Sequence, residues 1–394
     1  MSAPRVYLHA LGMINALGHD VDTIVTSLAA GHAPGMRAEP TRTGDAFVGR
    51  VTAPLDQALP DALSPYDCRN NRLLLAALAQ IRPAIDEARE RFGARRIGVV
   101  LGTSTSGVSA AEAAFAHQSQ TGSLPTGFDY RQMEIGTAAP FAAAALGLRG
   151  PAYTISTACT SSAKAFSSAR RLLTRGLCDA VVVGGVDSLC ELTLQGFAAL
   201  DSTSPKLTNP MSRARRGINI GEGAAVMLMT REEAPVALVG VGESSDAHHI
   251  SSPDPDGIGG EHALRGALVD ADLDVSAIGY VNLHATATIK NDQMEARLMG
   301  RVFPRGVATS GTKPLTGHTL GAAGATELGL SWLTLARDDV ALPQHLWDGE
   351  ADPELPELDL VSEARFLKRG LGTQYVMSNS FAFGGSNASL ILGR

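Results

Sequence analysis

Cysteine is scarce in this chain: its 394 residues hold four, at positions 68, 159, 178 and 190. No two are spaced as Cys-x-x-Cys and no Cys/His cluster has zinc-finger spacing, so neither a disulfide scaffold nor a metal site is expected. Reduced thiols in a cytoplasmic protein are the simplest reading. Long apolar runs are missing too; nothing approaches the ~20 uninterrupted apolar residues of a membrane span. The stretch Met1-Ser2-Ala3-Pro4-Arg5-Val6-Tyr7-Leu8 lacks the charged-then-apolar pattern of a signal peptide. Positive charge is in deficit, with 33 Lys and Arg against 40 Asp and Glu for a net −7. That argues against a nucleic-acid partner. What the chain has in quantity is small residues, 42 of them glycine, which suit close helix–sheet packing. The length predicts two domains or one duplicated unit.

Three parallels, in the same order, favour duplication. Ile97–Thr105 and Ile278–Thr288 are apolar strands ending in small polar residues. Each leads through a Gly- or Ala-rich turn into a helix, around Cys159 in one case and His318 in the other. Each half then has a late strand with paired glycines, Ala180–Gly185 and Tyr375–Ser378 with Gly384-Gly385. The seam is predicted near Thr230 to Pro235, giving halves 1–234 and 235–394. Apolar recurrence at three and four residues predicts helices over 72–91, 110–118, 163–174, 260–270, 292–301 and 321–337. Alternating strands and helices point to an α/β architecture with largely parallel strands. Segments 252–257 and 348–357 read as loops, the second acidic.

The chemistry centres on Cys159, in Ile155-Ser156-Thr157-Ala158-Cys159-Thr160-Ser161-Ser162. A thiol between a strand and a helix N-terminus can be a sharply turned nucleophile, and the exposed N–H groups there favour thiolate. Such a thiol forms a thioester acyl-enzyme naturally. Two later segments supply its partners: His284-Ala285-Thr286-Ala287-Thr288, and Lys313-Pro314-Leu315-Thr316-Gly317-His318. Neutral imidazoles that donate from Nε2 can stabilise an enolate, which favours decarboxylation of a malonyl thioester. Glu327 is a candidate ion partner for Lys313. Taken singly, each of these residues is more often packing or surface; taken in order, they are not.

These segments resemble a β-ketoacyl-acyl-carrier-protein synthase of the decarboxylating Cys-His-His class, from about residue 5 to the C-terminus. Thr312-Lys313-Pro314-Leu315-Thr316-Gly317-His318 and Asn379-Ser380-Phe381-Ala382-Phe383-Gly384-Gly385-Ser386-Asn387 are its other anchors. The resemblance implies a thiolase-like duplicated fold, with two five-stranded mixed sheets in α-β-α-β-α layers. It also implies a decarboxylating acyltransferase that makes 3-oxoacyl thioesters for fatty acids, or for a specialised aryl-polyene or polyketide. Cys159 would be the acylated nucleophile, His284 and His318 the pair acting on malonyl thioester, and Lys313 with Glu327 the supporting charges. The amides of Cys159 and Phe383 would form the oxyanion hole, and Phe383 would gate the site. Thr286 and Thr288 would bind the pantetheine arm, and Val108 would border the acyl tunnel.

The resemblance further implies no permanently bound cofactor, phosphopantetheine arriving on an acidic acyl carrier protein. Carrier contacts are expected at Arg69, Arg72, Arg131, Lys206, Arg213, Arg215 and Arg216. The protein would be a homodimer, or a heterodimer with a related chain-length subunit. The Ala-rich stretch 136–145 reads equally as interface or helix interior. Ala285 and Ala287 stand where the family usually has Gly and Ser, and Met211–Ile218 and the loop 201–209 also depart from its pattern. Three alternatives stand beside this reading, with a structural or binding module, which would leave the ordered Cys-His-Lys-His set unexplained, behind them. A Cys-His-Asn initiating synthase or plant-type polyketide synthase would carry Asn where this chain has His318. A thiolase would carry a second catalytic cysteine near the C-terminus, but none follows Cys190. A largely non-catalytic partner subunit would lack the nucleophile.

Overall fold

Runs such as Ile97–Gly102 and Gly223–Thr230 are buried at every position, as strands covered on both faces must be. The computed structural model describes residues 5–41, 44–56, 59–368, 372 and 374–394. Met1–Pro4 of the amino-terminal stretch discussed above thus lie outside the described residues. The strands are β1 (Val6–Ile14), β2 (Met36–Thr41), β3 (Gly44–Gly49), β4 (Ile97–Gly102), β5 (Ala152–Ile155), β6 (Ala180–Asp187), β7 (Gly223–Thr230), β8 (Val236–Ser245), β9 (Ile278–Asn282), β10 (Ala308–Ser310), β11 (Asp359–Leu360), β12 (Tyr375–Phe381) and β13 (Ser386–Gly393). The helices are α1 (Val21–Ala29), α2 (Arg69–Gln80), α3 (Arg82–Phe92), α4 (Val108–Thr121), α5 (Ala138–Leu146), α6 (Ser161–Thr174), α7 (Glu191–Ala199), α8 (Ile258–Ala271), α9 (Ile289–Val302), α10 (Lys313–Thr316) and α11 (Ala323–Ala336).

The duplication is visible in strand order. One half runs β1-β7-β6-β4-β5 and the other β8-β13-β12-β9-β10. In each, two antiparallel pairings are followed by two parallel ones. The two five-stranded sheets that the resemblance implied are not separate. Pairings Val6↔Leu238, Tyr7↔Ala237 and Leu8↔Val236 join β1 to β8, and β11 extends one edge, giving a single 11-stranded sheet. β2 and β3 form a separate hairpin.

The layers follow from which helix faces are apolar. α6 and α11 pack on each other and on strands of both halves, within one core cluster. Helices α2 and α5 cover the outer face of the first half, and α8 and α9 that of the second. The helix expected over 72–91 is two helices, because Pro83 starts α3 and cannot continue α2. The Ala-rich stretch is α5, whose Ala138, Ala139, Phe141 and Ala142 are fully buried in the core. Glycine permits the closest helix–sheet approach: a Cβ at Gly242 on β8 would lie 1.7 Å from Ala263 O on α8.

Gly242→Ala is therefore expected to lower stability by at least the ~1–3 kcal/mol typical of overpacking, read as a reduced denaturant midpoint. An unchanged midpoint would show that α8 can shift outward freely.

Candidate active site

Cys159 occupies a sharp turn between β5 and α6. Ala158 before it has φ of 52°, the left-handed region that costs a residue with a Cβ about 1–2 kcal/mol. Hydrogen bonds from Ser104 Oγ (3.1 Å) and Ser161 Oγ (2.5 Å) to Ala158 O hold that turn. Ser161 Oγ also accepts from Thr157 N–H at 2.9 Å. The helix start must come unusually close to the sheet: a Cβ at Gly102 would lie 2.3 Å from Ser162 N.

His318 meets the thiol directly, with Nε2 3.0 Å from Sγ. Its turn is threaded through glycines. A Cβ at Gly317 would come within 2.8 Å of Gly221 Cα, and one at Gly324 within 2.8 Å of Ala163. That close packing accounts for the glycines around His318. His284 lies edge-on to His318, with ring centroids 5.3 Å apart. One ligand atom each of Cys159, His284 and His318 falls within 4.8 Å of the others.

Lys313 stands behind His284. Its Nζ donates to His284 O and to Glu327 Oε1, and lies 3.4 Å from His284 Nδ1. The Lys313–Glu327 pair is almost fully buried. A spacing of three such atoms could also suit a divalent metal, but the Lys313 charge beside His284 opposes a second cation. With Lys313 donating, His284 Nδ1 is the acceptor and Nε2 carries the proton. His318 Nδ1 finds no partner among the described residues, so its tautomer is not fixed from outside.

Electrostatics revise one expectation. The helix N-terminus was expected to favour thiolate, yet burial pushes the Cys159 thiol up to about 12, with Lys313 only partly opposing. The resting group is a thiol, because its desolvation exceeds what the local dipole and charge return. Burial first, then Lys313, holds both His284 and His318 well below the usual histidine range; His318 further lowers His284. Both rings are neutral. Burial raises Glu327, and Lys313 works against that rise.

A cavity of about 300 Å³ reaches Cys159, His284 and His318, and Thr286, Thr288 and Phe383 line it. Phe383 stacks at a tilt on Phe197, with centroids 5.4 Å apart. Thr286 and Thr288 share a 2.9 Å hydrogen bond. Val108 is half-buried at the start of α4 and is not part of this cavity's lining, so the single chain does not open the site to it. Among the expected carrier contacts, Arg216 lines the cavity and Lys206 is exposed. Arg215 is buried on Asp352 at 2.5 Å and cannot meet a carrier. Arg69 is forked onto buried Glu222. Arg72, Arg131 and Arg213 are paired with Asp67, Asp129 and Glu350. The local basic excess at 213–216 is thus largely neutralised by the acidic loop 348–352.

Sequence reasoning missed the carboxylates that hold these loops. Asp187 accepts from Thr103 Oγ1 (2.6 Å), Thr105 N–H (2.8 Å) and Gly321 N–H (2.5 Å). It thereby ties β4 and β6 to the turn after His318. Glu295 accepts the N–H groups of His284 and Ala285, each at 2.7 Å. Burial lifts Glu295 to about 8 against those two bonds. The signals were available: an acid closing the apolar strand β6, and acids at 292 and 295 one turn apart on the helix after His284.

Two family models match this chain: "Beta-ketoacyl synthase, N-terminal domain" over residues 69–234 and "Beta-ketoacyl synthase, C-terminal domain" over 236–346. A 3-oxoacyl-[acyl-carrier-protein] synthase 2 of Vibrio harveyi is 32% identical, over 99% of each chain. A ketosynthase from Xenorhabdus doucetiae, solved in complex with its chain length factor, is 46% identical. It covers 99% of this chain and 98% of that one, with a TM-score of 0.94. A β-ketoacyl synthase from Burkholderia phymatum is 28% identical over the full length of both chains, with a TM-score of 0.85.

Neutral, buried imidazoles give a test by nitrogen NMR of labelled histidine. Lowering the pH through the ordinary value of 6.5 is expected to leave His284 and His318 unprotonated. Because the unfolded chain does protonate there, stability falls as pH drops below that value. Lys313→Met removes a group that lowers both rings, so their titrations should move upward. Titration of either ring near 6.5 in the parent would contradict this.

Proposed function

The chain belongs to the β-ketoacyl synthase family, and on that premise we propose how its residues divide a decarboxylating condensation. The protein is an acyltransferase that condenses an acyl group with a malonyl thioester, losing CO₂ to give a 3-oxoacyl thioester on acyl carrier protein. The observation that carries the assignment is the convergence of Cys159, His284 and His318 in one buried cavity.

In the first half-reaction, Cys159 Sγ bonds to the acyl carbon and the pantetheine sulfur leaves. The thiol proton passes through His318 Nε2 to that leaving sulfur. In the second, the bond between the malonyl α-carbon and its carboxylate breaks. CO₂ departs, and the electron pair enters an enolate whose oxygen accepts from Nε2–H of His284 and of His318, the His318 ring proton having shifted from Nδ1 to Nε2 by exchange with solvent after acylation. The α-carbon then bonds to the acyl carbon on Cys159. The amides of Cys159 and Phe383 hold the tetrahedral oxyanion, and collapse releases the Cys159 thiolate, which takes a proton from solvent. Phosphopantetheine arrives on the carrier, with Thr286 and Thr288 along its path and Phe383 at the gate. Arg216 and Lys206 remain the candidates for carrier docking.

The partner proposed is a related chain-length subunit, as in the Xenorhabdus doucetiae relative, with a second copy of this chain as the alternative. Exposed Phe115, Leu124, Tyr130 and Leu192, on and around α4, form the apolar surface it would cover. Val108 would join the acyl tunnel only in that assembly. The 46% identity to a ketosynthase that works with a chain length factor favours specialised polyketide or aryl-polyene assembly over bulk fatty acid elongation.

Cys159→Ala is expected to abolish condensation and leave folding intact. His284→Ala should suppress malonyl decarboxylation by roughly 10²–10³, and more than acylation of Cys159 followed by mass spectrometry, whereas His318→Ala, which also removes the carrier of the thiol proton, should slow both steps. Normal elongation by Cys159→Ala would overturn the assignment of the nucleophile. Equal loss of both steps in the His284 variant, or an unchanged acylation rate in the His318 variant, would overturn their roles.

A further inference from the structure

His345 is a buried histidine that the chemistry above does not use. It is 2% exposed and lies outside the cavity that reaches Cys159. Its N–H donates to Val361 O at 2.7 Å, which fixes its segment beside β11. Both ring nitrogens are engaged. Gly311 N–H donates to Nδ1 at 3.0 Å, and Nε2 lies 3.0 Å from Pro210 O. An amide N–H only donates and a carbonyl only accepts, so Nδ1 carries the lone pair and Nε2 the proton. Burial, against the bond to Pro210, brings the ring down to about 4 and keeps it in this neutral form.

These two partners flank the Lys313–His284 contact. Gly311 precedes Lys313 by two residues and packs on the residue after His284: a Cβ at Gly311 would lie 2.4 Å from Ala285 Cβ. Pro210 precedes Met211, whose N–H donates to Asp292 Oδ2 at 2.8 Å. Asp292 Oδ1 in turn accepts from Ala287 N–H at 3.0 Å. Segment 284–287 is thus gripped from both sides through one imidazole. Cys159 is held by other groups, Ser104 and Ser161 at its turn and Asp187 beneath it.

We propose that His345 is a positioning residue for the malonyl half-reaction: by accepting the Gly311 N–H it sets how Lys313 meets His284 and where the His284 Nε2–H points. This rests on the roles given above to His284 and Lys313. The two ring contacts can be separated chemically. Asn places an acceptor oxygen near the position of Nδ1, whereas Gln places a donor near Nε2.

The test compares His345→Asn and His345→Gln in the full chain, with decarboxylation of malonyl-carrier and acylation of Cys159 measured separately. His345→Asn should keep the decarboxylation kcat within about threefold of the parent, and His345→Gln should lose roughly tenfold or more. KM for malonyl-carrier and the acylation rate should hold in both. Equal decarboxylation by the two variants, or acylation falling in step, would overturn the inference while leaving the parent's chemistry standing. If His345→Gln does not fold, His345→Asn decides alone: a folded Asn variant with a tenfold loss overturns the proposal. A parent that fails to decarboxylate would overturn the histidine roles, and this inference with them.

Discussion

The buried ion pair between Lys313 and Glu327 is the interaction on which the site's electrostatics depend. A cation this deep is costly unless a charge and hydrogen bonds compensate it, and replacing such a pair by apolar residues is often neutral or better for stability. Its presence is explained by what it does to its neighbours. It donates to His284, orients that ring, and with burial keeps both imidazoles neutral. A neutral imidazole can accept a proton from a thiol and donate one to an enolate; an imidazolium can only donate.

The duplicated sheet explains how these groups meet. Cys159 follows β5, Lys313 follows β10, His284 follows β9 and Phe383 follows β12, while Asp187 closes β6. These are ends of corresponding strands in the two halves, which face each other across α6 and α11. Loops at the carboxyl ends of parallel strands are the usual place for a site in such sheets. Here two sets of them converge. Glycines at 102, 185, 317 and 324 allow the approach, because a Cβ at each would strike the neighbouring loop or helix.

Much of this was legible in the sequence because the groups that converge here sit in contiguous motifs: a thiol between strand and helix, and a lysine and histidine inside a glycine-rich turn. The duplication was legible for the same reason. Other features left no local trace. Whether two sheets fuse depends on the short β1–β8 pairing. The Arg215–Asp352 pair spans 137 positions, so a basic cluster and an acidic loop read as independent surfaces when they neutralise each other. The protonation of Cys159 depends on burial, which no motif encodes. Asp187, Glu295 and His345 act on backbone N–H groups, which every segment offers, so their spacing carries little signal. Pro83 did carry one, but the apolar periodicity running through it masked the helix break.

Lys313 and Glu327 hold each other in place beneath His284. A double-mutant cycle of Lys313→Met and Glu327→Gln, read by denaturant unfolding, measures this most directly. Each single change leaves an uncompensated buried partner and should cost roughly 3–5 kcal/mol, and the double variant should lose far less than the sum. Losses that simply add would contradict the account, because they would mean that neither group depends on the other for its place in the core.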